Sequence, residues 1–88
     1  MIEDSRLRRM QFRAWHRGTK EADLLIGGFF DKYARSWTPA QADWFETLLD
    51  EEDVDIMSWA IGTAPVPAPY QGELMQAMQG LDYIPIAR

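Results

Sequence analysis

The sequence predicts an all-α fold, a small single-domain five-helix bundle. The chain has 88 residues, enough for one hydrophobic core and not for two. Apolar residues recur at three- and four-residue intervals in four segments and more briefly in a fifth, and no segment sustains the alternation of a half-buried strand. A hydrophobic content of 47%, with four Trp and four Phe, supplies that core and argues against disorder. A chain this short buries roughly 60 to 65% of the surface its unfolded form exposes, so its stability margin is expected to be narrow. The domain is expected to span residues 1–88, ordered over about 5–80, with the tail 82–88 loosely held.

The first helix is expected over about Ser5 to His16, with Ser5 as its N-cap. Leu7, Met10, Ala14 and, at the edge, Trp15 gather on one side, while Arg6, Arg9, Arg13, His16 and Arg17 form a basic stripe on another. Gly18 breaks the pattern. The second helix, about Lys20 to Arg35, repeats Leu25, Phe29 and Tyr33 at four-residue intervals, widened by Leu24, Ile26 and Phe30. Gly27 and Gly28 inside it each cost about 1 kcal/mol relative to Ala, so close approach of a neighbouring helix is expected there.

Thr38-Pro39-Ala40-Gln41 gives the third helix a capping Thr, Pro at the first helical position and Gln at the third. Trp44, Phe45, Leu48 and Leu49 then make a core stripe. The acidic run Asp50-Glu51-Glu52-Asp53 interrupts it and reads as a solvated, capping segment. A fourth helix runs from about Val54 to Ile61 and stops at Gly62, with Val54, Met57 and Ile61 expected to face the core and Asp55 and Trp59 to share another face. Three prolines between Thr63 and Pro69 exclude a helix and favour a semi-rigid connector. A short fifth helix, about Gln71 to Gln79, carries Leu74, Met75 and Met78 and ends at Gly80.

The absence of cysteine excludes a disulfide scaffold, a thiolate metal site and a Cys nucleophile. The single histidine, His16, excludes a His cluster within one chain. The longest apolar run, Leu24 to Phe30, is seven residues with two glycines, far short of the roughly 20 that cross a bilayer. The acidic start, Met1-Ile2-Glu3-Asp4-Ser5, does not resemble a secretory signal, so a cytoplasmic location without membrane insertion is expected. The net charge of −5 is split: +4 over residues 1–20 and −9 over residues 21–88. Either the two ends meet different partners, or the basic edge seeks an acidic one.

Two places look arranged for contact. In Arg17-Gly18-Thr19-Lys20-Glu21 the glycine lets the chain turn without a Cβ clash. Arg17 and Glu21 flank the turn, and arginine offers a planar fork of donors to carboxylates or carbonyls; an internal ion pair closing the turn is the plainer reading. In Asp53-Val54-Asp55-Ile56-Met57-Ser58-Trp59 the plainer reading is a half-buried Trp with a capping Asp.

Taken together, Arg17-Gly18-x-x-Glu21 with Asp23-Leu24-Leu25, and Asp53-x-Asp55-Ile56-Met57-x-Trp59 some thirty residues on, resemble the succinate dehydrogenase assembly factor 2 family, also called FAD assembly or flavinylation factors. The likeness covers roughly residues 6 to 80; Thr19 stands where a larger apolar residue is usual, and Met57 where Phe is common. The resemblance implies a five-helix domain that binds the flavoprotein subunit of succinate dehydrogenase, and in bacteria often that of fumarate reductase. It implies an assembly factor that promotes covalent attachment of FAD to a histidine of that subunit, holding no FAD stably and performing no catalysis itself. Arg17, Gly18, Lys20 and Glu21 are then the expected contact residues, with Asp55, Trp59, Arg9 and Arg13 beside them. The competing class is a nucleic-acid-binding or regulatory module using the basic stripe, which a pI of about 4.6 opposes. A stand-alone flavin binder needs a pocket that a core this small can hardly enclose.

Overall fold

The computed structural model describes residues 2–84 and places five α-helices and two single-turn 3-10 segments among them. Helix α1 spans Asp4–Trp15, α2 Lys20–Tyr33, α3 Pro39–Leu49, α4 Asp53–Ile61 and α5 Glu73–Gly80. The all-α expectation holds.

Helix α2 is the central element. Leu25, Ile26, Gly27, Gly28, Phe29 and Phe30 are all buried, so its middle is covered on every side. Helix α1 lies along it, α4 packs on another face, α3 packs on α1 and reaches α2 through Phe45, and α5 closes against α4. The centre is aromatic: Trp37 and Phe45 rings lie 4.9 Å apart, with Phe29 and Phe30 at 6.0 and 5.8 Å from Phe45. Ring pairs at these separations add about 0.5–1.5 kcal/mol beyond the area they bury.

The two glycines of α2 are explained by what lies on them. A Cβ at Gly27 would sit 2.4–2.7 Å from the Trp15 indole, so α1 does approach as expected, through a ring laid on the glycine. A Cβ at Gly28 would meet Tyr83 at 3.2–3.3 Å. The chain after α5 therefore docks here. Asp82 accepts hydrogen bonds from Lys32 and Tyr33, and the Tyr83 hydroxyl donates to the Met78 carbonyl. Within the expected loose tail 82–88, Asp82 and Tyr83 thus make defined contacts, and residues 85–88 lie outside the described residues.

The capping box of α3 forms in full: Thr38 Oγ1 accepts from Gln41 N, and the Gln41 side chain accepts from Thr38 N. Gly62 ends α4 in the left-handed region at φ 83°. Elsewhere the ends shift. Helix α1 starts one residue early, so Ser5 lies inside it and Glu3 occupies the cap position. Gly80 stays helical while Leu81 takes the left-handed φ of 54°. The connector contains a 3-10 turn, Ala68–Tyr70, begun by proline-compatible geometry and anchored by buried Tyr70.

Helix α4 is rotated from its expected face. Ile56, Trp59 and Ala60 are buried, whereas Val54 and Ile61 are 68% and 54% exposed. The helix has nine residues and is apolar on most of its circumference, so local spacing does not select the inner side. Tyr70 selects it, stacking on Trp59 at 5.4 Å.

Candidate functional site

Between α1 and α2 the chain reverses over His16 to Thr19. Gly18 adopts φ 115°, a conformation side chains disfavour. Thr19 caps α2, its Oγ1 accepting from Ala22 N at 3.1 Å, and Asp23 reaches back to accept from Arg17 N at 2.6 Å. The turn is thus shaped by Thr19 and Asp23, which the sequence pattern placed at the junction but without a capping role. A Thr just ahead of the helical run was the available signal for the first.

The Arg17 side chain turns inward. Its Nε donates to Asp53 Oδ1 at 2.6 Å, Nη1 to the Leu49 carbonyl at 2.9 Å and Nη2 to the Glu51 carbonyl at 3.0 Å. Leu49 ends α3 and Glu51 lies in the turn that follows, where carbonyls lack helical donors. The fork satisfies two of them while its charge meets a carboxylate in the first turn of α4. The side chain is only 11% exposed. Arg17 and Glu21 do not pair; the acceptor is Asp53, and the two segments that carry the family resemblance meet at that bond.

Arg17 is the last of three arginines from the N-terminal segment that reach the acidic part of the chain. Arg6 pairs with Asp43 and Glu46 of α3, and Arg13 with Asp50. The basic edge has found its acidic partner inside the molecule. Of the five stripe positions expected to attract phosphate, three are engaged in this seam, leaving Arg9 and His16 exposed. The hydrogen bonds that Arg6 donates to Glu46 and to Asp43 hold its guanidinium above its ordinary pKa. The acidic run is likewise more than a solvated cap: Asp50 and Asp53 take arginines, and Glu51 accepts from the Tyr70 hydroxyl at 2.7 Å.

What remains outward at the junction is Gly18, Lys20 and Glu21. Lys20 and Glu21 are exposed in the first turn of α2, and a Cβ built on Gly18 meets no atom within 4 Å. Asp55 is exposed and Arg9 lies on the outer side of α1, whereas Trp59 is 8% exposed and belongs to the core. Trp59 therefore supports α4 from inside, and the expected Asp55–Trp59 surface reduces to Asp55. One concavity of about 400 Å³ between α1 and α2 is lined by Leu7, Arg8, Gln11, Phe30, Asp31 and Arg35, and an open one beside it reaches Trp15 and His16. Among the described residues no helix is long and apolar enough to cross a membrane.

Fold and junction together describe a small helical protein that presents an exposed turn on a tied scaffold. The chain belongs to the family described as "Flavinator of succinate dehydrogenase", whose model matches residues 8–82. It is 36% identical over 74 residues to the "FAD assembly factor SdhE" of Acetobacter pasteurianus, covering 84% of this chain and 68% of that protein. It is 35% identical over 80 residues to "Succinate dehydrogenase assembly factor 2, mitochondrial" of Candida glabrata, covering 86% of this chain and 52% of that one. The protein of the same name from Mycosarcoma maydis is 37% identical over 65 residues, which is 74% of this chain and 27% of that protein. The chain thus spans about half or less of these two mitochondrial relatives.

Proposed function

We propose that the protein is an assembly factor that binds the flavoprotein subunit of succinate dehydrogenase, and in a bacterial cytoplasm also that of fumarate reductase. It promotes covalent attachment of FAD to that subunit and is not itself the catalyst. Flavin is the cargo of the partner, with no stable flavin site on this chain. The observation that carries the reading is Gly18. Nothing within the molecule requires space at its Cβ position, yet the flanking side chains are exposed and the turn is held from behind. A partner surface can approach the backbone closely there, with Lys20 and Glu21 beside it and Asp55 and Arg9 farther out. Arg13 and Arg17 act through the seam behind the turn, and Trp59 acts through the core of α4. Promotion without catalysis is a population shift: the factor binds the flavinylation-competent conformer of its client better than the others.

The test is co-expression with the flavoprotein subunit of succinate dehydrogenase, followed by in-gel fluorescence of covalent flavin after denaturation. Attachment is expected to rise with the wild-type chain and to fall with Gly18→Arg or Glu21→Ala, both remaining folded. Attachment that ignores the factor, or that both variants support fully, overturns the reading.

A further inference from the structure

Arg17 stands immediately before a glycine with a left-handed φ, and it is tied down twice. Its backbone N–H is held by Asp23, and its side chain by three acceptors that belong to the end of α3, the following turn and the start of α4. Nε and both terminal nitrogens are engaged and the side chain is almost covered, which leaves little of the fork for a partner's carboxylate. Glycine gives the chain more freedom than any other residue, so the turn depends on such ties for a single conformation. Four carboxylates lie along Asp50 to Asp53, and they are not equivalent. Asp50 meets Arg13, Glu51 meets Tyr70, Glu52 is exposed, and Asp53 meets Arg17.

We infer that Asp53 is a positioning residue for the Gly18–Glu21 surface. It clamps Arg17 so that the turn is presented in one conformation, and neither Asp53 nor Arg17 makes the contact itself. The inference deepens the proposed function and rests on it for its functional consequence; the ordering of the turn is a property of the free protein. Lysine cannot replace the arginine, because one ammonium does not span three separated acceptors in a fixed plane.

Both halves are measurable on the full chain. Amide relaxation of the free protein reports order at Gly18, Thr19, Lys20 and Glu21; flavin attachment to the succinate dehydrogenase flavoprotein reports function; thermal unfolding confirms that each variant is folded. Asp53→Asn, which keeps shape and removes charge, is expected to lower order parameters at those amides from about 0.85 toward 0.6. It should also slow flavin attachment roughly tenfold, the scale of one lost charge-assisted bond. Arg17→Lys should behave like Asp53→Asn, Arg17→Ala should be no milder, and Arg17→Ala with Asp53→Asn should be no worse than Arg17→Ala alone. Asp50→Asn, on the same turn but bonded to Arg13, should leave both readouts unchanged. Unchanged order at Gly18–Glu21 in folded Asp53→Asn overturns the inference, as does a double variant whose losses multiply, since Arg17 would then touch the partner independently. If the wild-type chain fails to promote flavin attachment, the proposed function falls, and the relaxation measurement still decides the clamp.

Discussion

A methyl group added at Gly27 lands on the Trp15 indole, whose Nε1 donates to Asp31 and so resists displacement. Overpacking of this kind costs about 1–3 kcal/mol, against about 1 kcal/mol of helix propensity gained by replacing Gly. The steric term wins. Gly27→Ala is expected to lose about 1 kcal/mol, lowering the melting temperature by roughly 4–8 °C, with flavin attachment by the folded fraction unchanged. At Gly18 the balance has different parts. An added Cβ meets nothing, so the cost is that of the positive φ, about 1–3 kcal/mol for a residue held in a sparsely populated region. A loss of stability with full function at Gly18, or a loss of function with full stability at Gly27, would contradict the separate roles given to the two glycines.

Elements with a chemical signal at their ends were legible in the sequence. Thr38-Pro39-x-Gln41 and Gly62 fix the start of α3 and the end of α4, and both formed as read. Thr38→Ala should cost about 1 kcal/mol, the usual worth of an N-cap, read as a shift of the denaturation midpoint without change of slope. What was not legible depended on contacts made far along the chain. The inner face of α4 is chosen by Tyr70, eleven residues beyond Trp59, and no periodicity within nine mostly apolar residues contains that information. The Arg17-Gly18-x-x-Glu21 junction was visible as a unit, but the direction of Arg17 was not, because its acceptor lies 36 positions later. The acidic run looked solvated for the same reason: its partners come from α1, the turn after it and the connector. These arginines should differ in energetic weight. Arg6 meets two carboxylates at a partly exposed site, where solvent screens the pairs and they add little. Arg17 is more deeply covered and satisfies two carbonyls besides its carboxylate, so Arg17→Ala should cost about 2–3 kcal/mol. Urea titration of the two variants checks the ordering; equal losses would mean that the interior contacts of Arg17 carry no extra stability.

Across the whole molecule the charge split becomes a seam, with arginines of the first seventeen residues closing onto carboxylates of residues 43–53. Tyr70 joins the connector to the same acidic turn, its one hydroxyl proton donated to Glu51 at 2.7 Å with the Thr47 carbonyl a secondary acceptor at 3.3 Å, while its ring packs between Trp44 and Trp59. Burial first, and then the bond to Glu51, push its phenol up to about 12 from an ordinary 10.0. The sign follows from which state ionises first. Below the ordinary value both folded and unfolded forms keep the proton, and the contribution of Tyr70 is complete. As pH rises from 10.0 toward about 12 the unfolded phenol ionises while the folded one resists, so stability is lost across that window. Burial raises the Tyr83 phenol in the same direction, so the segment over Gly28 should weaken in alkali as well. At the acid end, the Lys32 hydrogen bond holds Asp82 below its usual value, and that attachment is lost as pH falls through the carboxylate range. Tyr70→Phe isolates one part of this. At pH 7 the variant should be less stable by about 1–2 kcal/mol for its lost hydrogen bonds. Because phenylalanine has no proton to lose, its disadvantage should shrink above pH 10, by an amount on the order of 2 kcal/mol at full ionisation. Urea midpoints of the two proteins measured from neutral to alkaline pH should therefore converge; parallel curves would show that the Tyr70 hydroxyl titrates no differently folded than unfolded, and that its link to the acidic turn adds nothing to the pH response.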